Sequence, residues 1–135
     1  MSIKAYLGIK YHEDHRNKDE IDALSAVLKD KGIETTCIAR DVEKWGEVQL
    51  SAQALMKRAF KEIDQAEIII LEMTEKGIGL GIEAGYASAR GKPLIVITKD
   101  ASTLSATMRG IADTIIQYSQ PLEINLSVGV KALNN

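Results

Sequence analysis

A chain of 135 residues that carries one cysteine and two prolines excludes several classes at once. A single thiol, Cys37, cannot close an intrachain disulfide, so the chain is expected in a reducing compartment, the cytoplasm. No apolar run approaches the about 18 residues of a membrane span. The N-terminus reaches Glu13 and Asp14 before any leader-like apolar stretch develops, so neither export nor a membrane partner is expected. Charge of one sign is also missing. Seventeen Lys plus Arg stand against nineteen Asp plus Glu, for a formal charge of −2, so no net basic field would draw in a nucleic acid polymer. Aromatic residues make up only 4%, too few rings to favour a flavin-bearing electron carrier. What is present is ordinary for a packed domain: 45% hydrophobic and 27% charged residues, with no repeat or low-complexity tract, in a length that suits one core.

The chain alternates between strand and helix signals. Residues 3–9 (IKAYLGI) read as a buried strand followed by a polar loop, and Asn17 with Glu20 resembles a capping box ahead of Ile21, Leu24 and Leu28 at helical spacing, stopped by Gly32. A second strand is expected over 33–39, then an ordered polar excursion containing Trp45. Ser51 should cap a helix with Leu55, Ala59, Phe60, Ile63 and Ala66 on one face, leading into an apolar strand at 67–71. A glycine-bearing loop over 72–83 then enters a small-residue helix over 84–90, which Gly91, Lys92 and Pro93 terminate. Strands at 94–98 and 114–118 flank a short helix at 104–110.

This alternation predicts an α/β fold, a three-layer flavodoxin-like or Rossmann-like domain with a five-stranded, mostly parallel sheet in the order 2-1-3-4-5. The domain is expected over 1–120, with 121–135 a tail whose structure the pattern leaves open. In that order the ends of strands 1 and 3 meet at the topological switch point, which singles out the loops 8–17 and 72–83.

Gly77, Gly79 and Gly81 do not fit the dinucleotide fingerprint, and no Walker lysine follows them, so no nucleotide cofactor is expected. They either make a tight turn or let a ligand lie against backbone amides. Glu83, placed in the first turn of the expected helix, is either favoured there by the helix dipole or projected into the crevice as a nucleophile for an anomeric carbon. Lys10, His12, His15 and Arg16 beyond strand 1 could pair with an anion, although Glu13, Asp14 and Asp19 are close by in sequence. The two histidines lack a third ligand at recognisable spacing, so no metal is expected. Trp45 suits either stacking on a base or a subunit contact; Tyr86, three residues beyond Glu83, suits either orienting it or packing. Cys37 reads as a small core residue.

With AYL at 5–7, AEIIIL at 66–71, GLGIEAGYA at 79–87, GKP at 91–93 and LSATMRGIAD at 104–113, the chain resembles the nucleoside 2-deoxyribosyltransferase family, including its nucleoside monophosphate N-glycosidase branch. The resemblance covers residues 3 to about 118 and implies an enzyme that cleaves or transfers at the N-glycosidic bond of a small nucleoside or nucleotide. It implies Glu83 as nucleophile and Tyr6 as its partner. Substrate contacts would come from Gly8, Lys10, His12, Gly77, Gly79 and Gly81, and from Ser105 and Thr107 reaching across the interface of a homodimer or higher homo-oligomer. Where the family usually has an aspartate before strand 3, this chain has Ala59, unless Glu62, Asp64 or Glu72 stands in. That departure keeps a second possibility open, a noncatalytic nucleotide-binding or sensor module on the same scaffold.

Overall fold

The computed structural model describes residues 2–126. Five parallel strands, β1 (Ile3–Ile9), β2 (Ile33–Thr36), β3 (Ile68–Glu72), β4 (Leu94–Thr98) and β5 (Thr114–Gln117), lie in the order β2-β1-β3-β4-β5, the expected one. The helices α1 (Lys18–Asp30), α2 (Ala52–Gln65), α3 (Ile78–Ala89) and α4 (Ala106–Ile111) make the crossovers that parallel pairing demands. Ile21, Leu24 and Leu28 of α1 pack on one face of the sheet with Leu7, Ile68 and Ile70. The other face carries Tyr6, Ile69 and Leu71 under Ile63 of α2 and Leu80, Ala84 and Ala87 of α3. Every residue of β3 and β4 is buried, as strands covered on both sides must be.

Local chemistry sets the boundaries. Ser51 caps α2 by accepting from the Ala54 amide at 3.1 Å. Gly91, at φ +69°, ends α3 with the Lys92 amide donating back to the Ala87 carbonyl, a left-handed stop that glycine makes without strain. Asn17 makes no capping bond to α1; its side chain donates to the Lys10 carbonyl and accepts from the His12 amide, fastening the loop after β1 instead. Strand β2 stops at Thr36, three residues short of expectation. There the Asp41 carboxylate takes the Cys37 amide at 2.9 Å and the Arg40 guanidinium brackets Asp41 and the Thr35 carbonyl, so side chains draw the backbone into a wide turn over Ile38–Val42.

The largest difference lies at α3, which begins at Ile78 rather than at 84. Glycine costs about 1 kcal/mol in a helix. Leu80 nevertheless falls on the same buried stripe as Ala84 and Ala87, and that stripe draws Gly79 and Gly81 into the helix. Beyond β5, Pro121–Glu123 form a single helical turn, and Ile124 and Leu126 join the α1-side core; the rest of the expected tail, 127–135, lies outside the described residues.

Candidate functional site

Tyr6 points from β1 into the layer beneath α3, where it is 1% exposed, and donates its hydroxyl to Glu83 Oε1 at 2.8 Å. The other carboxylate oxygen, Oε2, is fully enclosed and has no hydrogen-bond partner among the described residues. Gly8, two residues along β1 on the same side of the sheet, explains how that oxygen fits. A β-carbon at position 8 would sit 2.9 Å from Glu83 Oε2 and 2.5 Å from Leu71 Cδ2, so the strand accepts only a hydrogen there. Glu83 stands in the second turn of α3, because the helix starts early, and the helix dipole fades within the first turn. Burial is what governs it: loss of water pushes the Glu83 carboxyl up to about 7, with the Tyr6 hydrogen bond pulling the other way. Burial and the neighbouring Glu83 together hold the Tyr6 phenol well above its ordinary value, so Tyr6 stays a neutral donor.

Glu83 borders a cavity of about 310 Å³ whose wall includes Tyr6, Gly8, Ala59 and Gly79. This inner cavity shares Tyr11, Glu13 and Glu43 with an outer one of about 450 Å³ that reaches Trp45. On its other side Glu83 borders a shallower space of about 540 Å³ with Lys10, Lys76 and Gly77. Gly77 is the N-cap of α3 and supplies no side-chain cap, which leaves the first amides of the helix available to an anion. A polar ligand could therefore meet positive groups on one side of a buried carboxylate and acidic, aromatic ones on the other.

Of the residues expected at the site, Tyr6, Gly8, Lys10, Gly77, Gly79 and Glu83 converge on these spaces. Gly81 faces outward on α3 with open space around it. His12 is taken up by neighbours: the Arg16 guanidinium, which can only donate, gives a hydrogen bond to Nδ1 at 2.7 Å, and Nε2 donates to Glu75 at 2.6 Å. Ser105 caps α4 and its hydroxyl lies 3.0 Å from that of Thr107; both are exposed and neither lines a cavity beside Glu83. Tyr86 does not reach Glu83: it stacks on Phe60 at 4.1 Å and donates to Asp64.

The three acids that might have stood in at Ala59 are all engaged elsewhere. Glu62 pairs with Arg58, Asp64 with Tyr86 and Arg90, and Glu72 lies on the opposite face of the sheet accepting from Tyr118 at 2.6 Å and from Thr74 at 2.9 Å. Ala59 itself is buried and borders the inner cavity. Two residues that sequence reading passed over, Tyr11 and Glu43, prove to line both inner and outer cavities. Their only signal was position, since each lies in a polar stretch following a strand on the carboxyl edge of the sheet. Among the described residues no cluster of three or more His, Cys, Asp or Glu side chains is placed to hold a metal ion, and no helix is long and apolar enough to cross a membrane.

Comparison with known proteins identifies a family and a shared fold. The sequence model of the family described as nucleoside 2-deoxyribosyltransferase matches residues 5–128. A protein of Thermofilum pendens carrying the name 2′-deoxynucleoside 5′-phosphate N-hydrolase 1 is 26% identical over 113 residues, 81% of this chain and 78% of its own. The 5-hydroxymethyl-dUMP N-hydrolase of Mus musculus is 36% identical over 63 residues, 45% of this chain; the match spans 36% of the mouse protein's length. Among solved structures, a CMP N-glycosidase of Clostridium botulinum superposes with a TM-score of 0.67 at 22% identity, covering 96% of both chains. A 2-deoxyribosyltransferase of Bacillus psychrosaccharolyticus gives 0.68 at 14% identity, covering 93% of this chain and 95% of the other. Both share the fold.

Proposed function

Since this chain belongs to the nucleoside 2-deoxyribosyltransferase family, whose chemistry is N-glycosidic cleavage or deoxyribosyl transfer on nucleosides and nucleotides, we propose that it hydrolyses a 2′-deoxynucleoside 5′-monophosphate with Glu83 as nucleophile. The observation that carries this reading is the asymmetry of the Glu83 carboxylate at the wall of the inner cavity: Oε1 is held by Tyr6 while Oε2 is enclosed against Gly8 without a partner among the described residues. A carboxylate that lacks half its hydrogen bonds is raised in energy and is quenched by bonding to an electron-poor carbon. In the first step a Glu83 carboxylate oxygen, turned into the cavity, bonds to C1′ as the C1′–N bond breaks, and the departing base keeps the electron pair and takes a proton from water. In the second, a water oxygen bonds to C1′ and gives up a proton, the ester C–O bond breaks, and the carboxylate is restored. The sum is nucleotide plus water to free base plus 2-deoxyribose 5-phosphate. Tyr6 steers the attacking oxygen by fixing its twin, and enclosure strengthens both interactions.

Lys10 and Lys76 beside the open start of α3 support a phosphate on that side, and the phosphate named in the Thermofilum pendens relative agrees. The same proposal includes a cytoplasmic homodimer in which Ser105 and Thr107 serve a neighbour's cleft. Exposed Ile78 and Ile82 on α3 give such a dimer apolar surface to cover. The test is chromatography of free base released from a panel of deoxynucleosides and their monophosphates. Release from a monophosphate that falls by about 10³-fold or more in Glu83→Ala supports the reading. Identical behaviour of the two chains removes it. Ala59 at the cavity wall favours a second reading, a nucleotide sensor, for which a monophosphate raises the melting temperature yet stays intact for hours.

A further inference from the structure

Glu43 lies at the junction of the inner and outer cavities, with its backbone held on both sides. Its amide donates to the Ile38 carbonyl at 2.9 Å, and its own carbonyl accepts from the amides of Gly46 and Val48 at 3.0 and 2.9 Å. Its side chain is treated otherwise. The carboxyl is half-buried, and no donor reaches it among the described residues; the same is true of Glu13, more exposed, on the facing loop. Burial raises the Glu43 carboxyl above the ordinary carboxylate range, as expected of an acid that has lost water and gained no donor in exchange.

Beside it the rings of Tyr11 and Trp45 stand 5.5 Å apart, inclined at 50°, and Lys18 Nζ lies 5.1 Å from the centre of the Trp45 ring. The backbone that presents Trp45 is unusual: Lys44 and Trp45, neither of them glycine, hold φ at +50° and +61°. Left-handed backbone costs a side-chain-bearing residue roughly 1–2 kcal/mol, and such outliers gather at ligand sites. Tyr11 and Trp45 already pack on each other, so a flat base would lie against the pair rather than between its rings. Glu13 and Glu43 would repel a phosphate here, and Lys10 and Lys76 line the space on the other side of Glu83.

We propose, on the reading that a nucleotide is bound at Glu83, that Glu43 and the rings of Tyr11 and Trp45 form the base-reading end of the site and select bases bearing an amino group where uracil and thymine carry the 4-oxo group, cytosine or adenine, over uracil and thymine. A carboxylate can only accept, so it rewards an amino group and is repelled by the 4-oxo group that uracil and thymine present in its place. Specificity arises here from a half-buried acceptor that no neighbouring side chain among the described residues supplies with a donor.

The test uses the Glu83→Ala chain, which leaves the nucleotide uncleaved, and follows emission of Trp45, the only tryptophan in the sequence. The deoxycytidine monophosphate should bind about tenfold or more tighter than the deoxyuridine monophosphate. Adding Glu43→Gln, whose amide offers a donor to a 4-oxo group, should erase or invert that ratio; Glu43→Ala should erase it. Equal affinities in the Glu83→Ala chain, binding of neither nucleotide, or a ratio unchanged by both Glu43 substitutions would overturn the assignment. Base release separates this from the cleavage reading. A wild-type chain that binds the cytosine nucleotide selectively and releases no base removes cleavage and leaves Glu43 its role. Release from both nucleotides with equal efficiency removes the role of Glu43 and leaves cleavage standing.

Discussion

Glu72 and Glu83 both reach the carboxyl edge of the same sheet, the first as the last residue of β3 and the second from α3 on the opposite face. Glu72 is 2% exposed and fully occupied: Tyr118 and Thr74 donate hydroxyls to Oε2, the Thr74 amide donates to Oε1 at 2.5 Å, and the Thr74 hydroxyl in turn takes the Lys99 amide at 3.0 Å. Glu83 has one donor, Tyr6, and one oxygen with none. The difference teaches how a fold can use one residue type in two ways. Three donors make a buried carboxylate an anchor that ties β3 to the loops after β4 and β5, whereas one donor leaves it charged at a cost that a ligand can relieve.

If that distinction is correct, exchanging each acid for its amide should move stability in opposite directions. The larger effect belongs to Glu83→Gln, which should lower turnover about 10³-fold or more while stabilising the folded chain at alkaline pH. The sign follows from the folded value of about 7 against an ordinary 4.5. The buried acid contributes its full stability below the ordinary value, and that contribution is lost as pH rises through 7. Glutamine has no such loss, so unfolding free energies from urea titrations should coincide near pH 4 and separate by up to about 3 kcal/mol by pH 8.5. A separation that fails to grow with pH would sink the claim that burial governs Glu83.

Glu72→Gln should do the reverse, costing about 2 kcal/mol at neutral pH, because the amide nitrogen cannot accept what Tyr118 and Thr74 donate. Were that substitution neutral, Glu72 would not be the anchor its hydrogen bonds imply. The smallest effect tests the single donor. Tyr6→Phe keeps the ring in the core but withdraws the bond that favours the ionised form of Glu83. The acid limb of the kcat/KM profile should then move to higher pH, with kcat/KM at neutral pH falling about ten- to a hundredfold. An unmoved limb would mean that Tyr6 does not steer the carboxylate.

The sheet was legible because its signals are local and repeated: apolar runs at 67–71 and 94–98 for strands buried on two faces, and Ile21, Leu24 and Leu28 at helical spacing between β1 and β2. Tyr6, Gly8 and Glu83 were legible through the resemblance and through the switch point, which brings the ends of β1 and β3 together. Their contact spans 77 positions and is invisible to any window of sequence. The start of α3 was misplaced because glycine reads as a loop signal while the stripe of Leu80, Ala84 and Ala87 acts only through tertiary packing. Glu43 was missed for a related reason: Asp41 and Arg40 turn the chain after β2, and only that turn converts a polar excursion into a cavity wall.

The hydrogen at position 8 has a practical meaning for anyone who would engineer this chain. A side chain introduced there to stiffen the strand would meet Leu71 Cδ2 at 2.5 Å and Glu83 Oε2 at 2.9 Å, so the first methyl group would push the carboxyl group out of its seat. Hardening this scaffold and preserving its reagent are thus rival objectives at one backbone atom, and variants gained by the first should be screened with a ligand before they are kept.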